Sequence, residues 1–228
     1  MKWFNHLIDI IYPKTCEACR EPLLGGEKLI CTQCLISLPR TNTHLNPDEL
    51  IQRRFWGKIA VSHTLAYLRF SKKSKVQHLL HQLKYKNKPE LGSFLGELYG
   101  TDLKATGFDK KIDLIIGVPL HRQKEKQRGY NQANCIAEGL SKALEVPYDP
   151  TLVKKVLNTA TQTRKSRFER FMNVKDAFEI VDKEKIKGKR IAIVDDVLTT
   201  GATIEAFAGT LLENGCTDVS VITIAIAD

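Results

Sequence analysis

The sequence has no apolar run approaching the roughly twenty residues that a membrane-spanning helix needs, which excludes a helical span and leads us to expect a soluble chain. A recognisable export signal is missing too. Met1 to Tyr12 sets Trp3, Phe4, Leu7, Ile8 and Ile11 at helical spacing, but Asp9 interrupts the stretch and no small-residue cleavage site follows. We expect a short amphipathic helix docked on its own protein, with a membrane surface as the alternative resting place. Acidic residues are in deficit, 26 against 35 Lys and Arg, for a formal charge of +9. That imbalance favours anionic partners: phosphate-rich metabolites, nucleic acid or an acidic membrane surface. Charge alone does not choose among them.

Nor do the cysteines fit an exported disulfide framework. Four of the six form two Cys-x-x-Cys pairs, and Cys135 and Cys216 fall in helix-like contexts. The pattern points to a reducing compartment, the cytoplasm, with the inner face of the membrane as a peripheral position. Cys16-Glu17-Ala18-Cys19 and Cys31-Thr32-Gln33-Cys34 read as two knuckles separated by Pro22, Gly25 and Gly26. This spacing can bring four thiolates to the corners of a tetrahedron and leaves no open coordination position, so the expected ligand is a structural zinc ion on Cys16, Cys19, Cys31 and Cys34. About forty residues bury little core, and the metal would supply the missing folding energy. Disulfide exchange is the rival reading, but it ordinarily uses one such pair at a helix start.

With 228 residues the chain is long enough for one sizeable α/β domain and a small accessory module. Leu38-Pro39 ends the module, and Arg40 to Gln52 reads as a linker with a short helix near Pro47 to Arg53. We therefore divide the chain into a zinc-binding module with linker, residues 1–54, and a larger domain, residues 55–228. In the latter, Ile59 to Phe70 is strand-rich. Val76, Leu79, Leu80 and Leu83 mark a covering helix, and a second runs from about Pro89 to Asp102. Ile112 to Val118 is a clear strand, Tyr130 to Leu144 a helix, and Thr151 to Leu157 the next sheet element. Such alternation predicts a mostly parallel sheet flanked by helices.

The most informative run is Ile191 to Thr203. Ile191 to Val194 has the continuous apolar character of a strand covered on both faces, and Asp195 and Asp196 follow at its carboxyl end, the edge where open α/β sheets bind ligands. Next come Thr199, Thr200, Gly201, Ala202 and Thr203, ahead of a helix from about Ile204 to Asn214. Small hydroxylated residues and a helix amino terminus suit a phosphate, and ionised carboxylates suit the neighbouring hydroxyls of a sugar. A ribose bearing a 5′-phosphate satisfies both halves. All thirteen positions resemble the phosphoribosyl pyrophosphate (PRPP) motif of type I phosphoribosyltransferases.

On that reading the turn Val118-Pro119-Leu120-His121, running into a basic tract that ends in Arg128, is placed to hold pyrophosphate through backbone amides and nearby cations. Asn158 to Arg167 is polar and basic with few apolar anchors. It could close over a polyphosphate, with Arg164, Lys165 and then Arg170 as candidate cations.

Further blocks extend the likeness: Tyr12-Pro13, Leu83-Lys84-Tyr85, Val118-Pro119-Leu120-His121, Arg128-Gly129-Tyr130-Asn131-Gln132-Ala133, Thr159-x-x-Gln162 and Arg170-x-x-Asn173-Val174. With the four cysteines and Val194-Asp195-Asp196 they resemble the ComF family, an amino-terminal zinc module joined to a type I phosphoribosyltransferase-like domain and tied to natural competence and single-stranded DNA import. The resemblance implies an α/β fold of that type, with residues 55–105 as a hood over the site and a double zinc ribbon-like module in front. It implies PRPP or a related phosphorylated ribose as ligand, magnesium carried in with it, and transfer of a phosphoribosyl group with loss of pyrophosphate. Asp195, Asp196, Arg164 and Lys165 would be the catalytic set. It also leaves open a non-enzymatic role, as a single-stranded DNA binder or as an adaptor for a competence helicase or other uptake protein. Lys155, Lys124 and Lys126 stand where arginine is expected, and Arg164-Lys165 replaces a Gly-Leu-like pair, so bidentate phosphate contacts are weakened there. Thr199 occupies the place of the general-base aspartate of 6-oxopurine transferases, which argues against a guanine or hypoxanthine acceptor.

Overall fold

A computed structural model describes residues 13–156 and 177–227. The expected amino-terminal helix, the basic stretch Asn158 to Arg167 with Arg164 and Lys165, and Arg170 lie outside the described residues.

Four parallel strands form the sheet: β1 (His63–Phe70), β2 (Leu114–Gly117), β5 (Arg190–Leu198) and β6 (Asp218–Ala227), in the order β1-β6-β5-β2. Strand β5 lies between β2 and β6, so both of its edges are paired, and its residues alternate between two covered faces. Ala192 and Val194 join one apolar core with Ile222 and Ile224 of β6. Ile191 and Ile193 join the other with Val219 and Val221.

On the first face lie α3 (Lys75–Tyr85), α4 (Pro89–Ala105) and α6 (Gln132–Leu144). The predicted apolar stripe of α3, Val76, Leu79, Leu80 and Leu83, is buried there, and Ser74 caps the helix by accepting the Gln77 amide at 3.2 Å. Helices α4 and α6 meet at backbone distance. A methyl group added at Gly139 would lie 2.0 Å from the Ser93 carbonyl oxygen, and one at Gly96 would lie 2.2 Å from that of Ile136. Cys16 and Cys34 sit at the margin of the same core, with Ile30 and Leu38; Cys34 lies within α1 (Thr32–Ser37).

The second face carries α7 (Ala202–Glu213), whose Ile204, Phe207, Ala208 and Leu211 are buried. Beside it lies a small antiparallel pair, β3 (Val153–Lys155) with β4 (Phe178–Ile180). The expected sheet element at Thr151 to Leu157 is thus β3, and it pairs with a partner of its own rather than extending the main sheet. On β4, Phe178 packs against Phe207 of α7 with ring centroids 4.9 Å apart and the planes tilted by 35°.

Two other expectations change. The basic tract after His121, read as a turn, is a helix, α5 (Arg122–Arg128). The His121 imidazole caps it by accepting the Gln123 amide at 3.4 Å, and Gly129 ends it at φ +83°. The strand bearing the acid pair continues past it to Leu198, because Val197 and Leu198 still pair with Ala225 and Ile226 of β6. The short helix α2 (Glu49–Gln52) lies within the span expected for it. Among the described residues no helix is long and apolar enough to cross a membrane.

Candidate functional site

The carboxyl ends of β2 and β5 face the same edge, and the sequence-derived residues gather there. Thr199 to Thr203 form the turn from β5 into α7. With Asp195, Val197, Leu198 and Ile204 they line a pit of about 50 Å³. Gly201 takes φ +81°, a left-handed conformation that lets the chain reverse directly into the helix. The first amides of α7 have no carbonyl one turn back within the helix, and that of Ala202 donates to the Thr200 hydroxyl at 3.5 Å. Thr199, Thr200, Ala202 and Thr203 are all exposed.

The two acids have different surroundings. Asp196 is buried, 8 % exposed, and its carboxylate is held by the Lys84 ammonium at 2.8 Å. Asp195 accepts the Asp196 amide at 2.8 Å. Burial, followed by the charge of Asp196, pushes its carboxyl up to about 7 despite the opposing influence of Lys84 and Lys155. In the register of the sheet Asp195 stands beside Thr223, whose buried hydroxyl has no hydrogen-bond partner among the described residues.

Lys84 belongs to the Leu83-Lys84-Tyr85 block, and it opens onto a cleft of about 410 Å³ lined by Lys84, Tyr85, Asn87, Lys124, Gln127 and Arg128. Three of these are cations and none is an acid. Arg128 donates to the Gln132 side chain at 2.8 Å and lies over the Tyr85 ring, 5.7 Å from its centroid. Lys155, bridged through β3 to His121, has its amine 5.2 Å from the Phe178 ring centroid. Burial, then the charge of Lys124, lowers its pKa, with Asp195 pulling the other way.

Of the turn expected to hold pyrophosphate, Val118 is committed elsewhere. Its amide donates to the Val194 carbonyl at 2.8 Å and its own carbonyl accepts from the Asn131 side chain at 3.0 Å. Pro119 has no amide to give. Leu120 and His121 are both partly exposed at this edge, where His121 is bridged to Lys155.

In the amino-terminal module the four sulfurs of Cys16, Cys19, Cys31 and Cys34 lie within 4.8 Å of one another. A zinc ion with sulfurs at 2.3 Å implies tetrahedral edges of about 3.8 Å, and Cys19 and Cys31 are 3.8 Å apart. Burial alone would raise the Cys16 thiol, but amide donors outweigh it, from Cys31 at 3.2 Å and Ala18 at 3.4 Å among them, and bring it to about 7. Burial and the neighbouring sulfurs push Cys34 up to about 12, so this sulfur becomes a thiolate ligand only when a cation joins the cluster. The module is tied to the rest of the chain by an ion pair of buried Glu17 with Lys88. The Lys88 amide in turn donates to Tyr130, whose hydroxyl donates to the Leu83 carbonyl.

Two participants were not foreseen. Lys84 was read only as part of a covering helix and a family block, yet it pairs with Asp196. Arg54, assigned to the linker, donates to the carbonyls of Leu198 at 3.4 Å, Thr199, and Ala227 at 2.5 Å, at the ends of β5 and β6. The block Leu83-Lys84-Tyr85 was a signal for the first. Nothing local marked the second.

A family model described as Phosphoribosyl transferase domain matches residues 131–228. A relative named DNA utilization protein YhgH, from Shigella flexneri, is 32 % identical over 236 residues, covering 92 % of this chain and 95 % of its own. Competence protein F of Haemophilus influenzae is 38 % identical over 121 residues, 53 % of each chain. Among solved structures, the allosteric regulatory enzyme of purine biosynthesis aligns with TM-score 0.45 and 22 % identity, covering 63 % of this chain and 29 % of that one. The near full-length likeness to the YhgH proteins, the match to Competence protein F, the phosphoribosyltransferase domain and the four-cysteine cluster agree: the chain belongs to the ComF family.

Proposed function

We propose that this chain binds PRPP, or a related ribose 5-phosphate, at the β5–α7 turn, and transfers the phosphoribosyl group to an acceptor with release of pyrophosphate. One observation carries the reading: a small pit of about 50 Å³ walled by Thr199 to Thr203 opens beside Asp195 at the carboxyl end of a doubly covered strand. The turn would take the 5′-phosphate and the two aspartates the ribose hydroxyls. As the bond from the anomeric carbon to pyrophosphate breaks, that oxygen leaves with the electron pair. The carbon becomes cationic until the acceptor's lone pair forms the new bond. Fixed carboxylates on the ribose side favour this charge, and Lys84, Lys124 and Arg128 in the adjoining cleft suit an anionic leaving group. Arg164 and Lys165, in the catalytic set that the resemblance implies, and Arg170 are the further candidate cations for the pyrophosphate.

The donor set also fits magnesium arriving with the ligand: hard carboxylate oxygens beside a site for sugar and phosphate oxygens. When bound, that ion would offset charge on the pyrophosphate. A structural zinc ion on the four cysteines completes the cofactor assignment.

Calorimetry with PRPP and magnesium on the full chain tests the proposal, with Asp195→Asn/Asp196→Asn as the comparison. Binding lost in the double variant, with pyrophosphate released in the presence of an acceptor, supports it; equal binding by both proteins refutes it. A second reading, a DNA-binding role in uptake, draws on the relatives' names and on the exposed Tyr85, 63 % accessible, among the cations of the cleft. Single-strand affinity that falls steeply with salt and is untouched by Asp195→Asn would favour that reading.

A further inference from the structure

We propose that residues 54–58, a stretch assigned by sequence to the end of the linker and the start of the hood, form a clasp that holds the phosphate loop in its binding shape, with Arg54 as the positioning residue. The inference rests on the loop being the phosphate site.

The loop is anchored at two ends, the last residue of β5 and the first turn of α7, and this stretch grips both. Main-chain pairing between β5 and β6 stops at Leu198 and Ile226, and Ala227 pairs with Phe70 of β1 on its other edge, so the β5–β6 ladder has no rung past that point. The Arg54 guanidinium supplies that rung, donating from Nη1 to Leu198 and Thr199 and from Nη2 to Ala227. A planar, permanently charged fork can satisfy several carbonyls on neighbouring strands at once; an ammonium is a point donor and cannot span them in the same way. Phe55, 2 % exposed, packs beneath Gly201, where even an added methyl group would approach its ring to 3.0 Å. The Lys58 ammonium donates to the Arg54 carbonyl at 3.0 Å and reaches Glu205 in the first turn of α7 at 3.7 Å. The start, middle and end of the loop are therefore held by Arg54, Phe55 and Lys58 of this one stretch.

Fixed in this way, the loop offers its amides to a phosphate without first losing conformational freedom, which is the usual route by which preorganisation raises affinity. The charge on Arg54 adds to the positive field of the turn, with Nη1 and Nη2 already engaged on carbonyls.

The test compares full-length wild type, Arg54→Lys and Arg54→Met by hydrogen–deuterium exchange without ligand, and by ribose 5-phosphate titration. Peptides covering Thr199 to Thr203 should exchange at least tenfold faster in Arg54→Met, while peptides covering Cys16 to Cys34 keep their wild-type rate. Ribose 5-phosphate affinity should fall about tenfold, Arg54→Lys should recover only part of it, and low concentrations of guanidinium ion should restore Arg54→Met but not wild type. Unchanged loop exchange in Arg54→Met overturns the proposal whether or not the ligand binds. Equal acceleration across the whole chain overturns it as well, since that would mark Arg54 as a general stabiliser. Failure of wild type itself to bind ribose 5-phosphate would count against the assigned ligand, and the exchange data would still decide the clasp.

Discussion

If the carboxyl of Asp195 titrates near 7 while it must accept hydrogen bonds from a ribose diol, affinity for ribose 5-phosphate should rise as pH passes through neutrality. Only the ionised form is purely an acceptor. At pH 6 about one-eleventh of such a group is ionised and at pH 8 about ten-elevenths, so affinity should improve roughly tenfold, about 1.4 kcal/mol. The causes of the shift fix two further directions. Asp196→Asn removes a negative charge that holds the Asp195 pKa up, and should move the midpoint to lower pH. Lys84→Met removes a cation that holds it down, and should move the midpoint up.

Ligand-free stability runs the opposite way. The folded pKa is raised above the ordinary 3.8, so the stability contributed by Asp195 is whole below that value and is lost as pH climbs towards about 7. The assay is isothermal titration with ribose 5-phosphate from pH 6 to 8, in buffers of differing ionisation enthalpy. The ligand's own phosphate titrates near about 6, so Asp195→Asn, which keeps the phosphate but loses the carboxyl, provides the baseline. A wild-type slope no steeper than that baseline, or affinity falling over the interval, would refute the reasoning.

Other expectations concern the scaffold. Purified chain should carry one zinc ion that Cys19→Ser or a strong chelator removes, with a lower unfolding temperature, while Cys135→Ser and Cys216→Ser keep full zinc content by atomic absorption. Acid should release that ion, because thiols such as Cys34, at about 12 without metal, reprotonate readily; a pH series of zinc release measures it. Gly139→Ala forces its new methyl group against the Ser93 carbonyl across the α4–α6 contact, and should lower stability by about 3 kcal/mol in urea unfolding without touching the site residues.

Much of the fold was legible because its signals are local. The helix periodicity of Val76 to Leu83 and the doubly buried run Ile191 to Val194 carry their environments in their own spacing. Element ends were less so. The acid pair lies within β5 because β6 continues beside it, and the tract after His121 is helical because a side-chain cap and Gly129 frame it. Neither the cap geometry nor the neighbouring strand is written in apolar periodicity.

By itself the sequence determined the local frame of the two candidate centres, the four-cysteine knuckles and the strand–turn–helix around Asp195, Asp196 and Thr199 to Thr203. Each is built from residues close together in the chain, so local geometry alone brings its groups into reach. Tertiary structure decided what surrounds them: Lys84 on Asp196, Thr223 beside Asp195, the Val118 amide spent on β5, and Arg54 under a loop 145 residues further along. Those pairings follow from which strands lie side by side and which helices cover them, and packing sets that order only once the whole chain has folded.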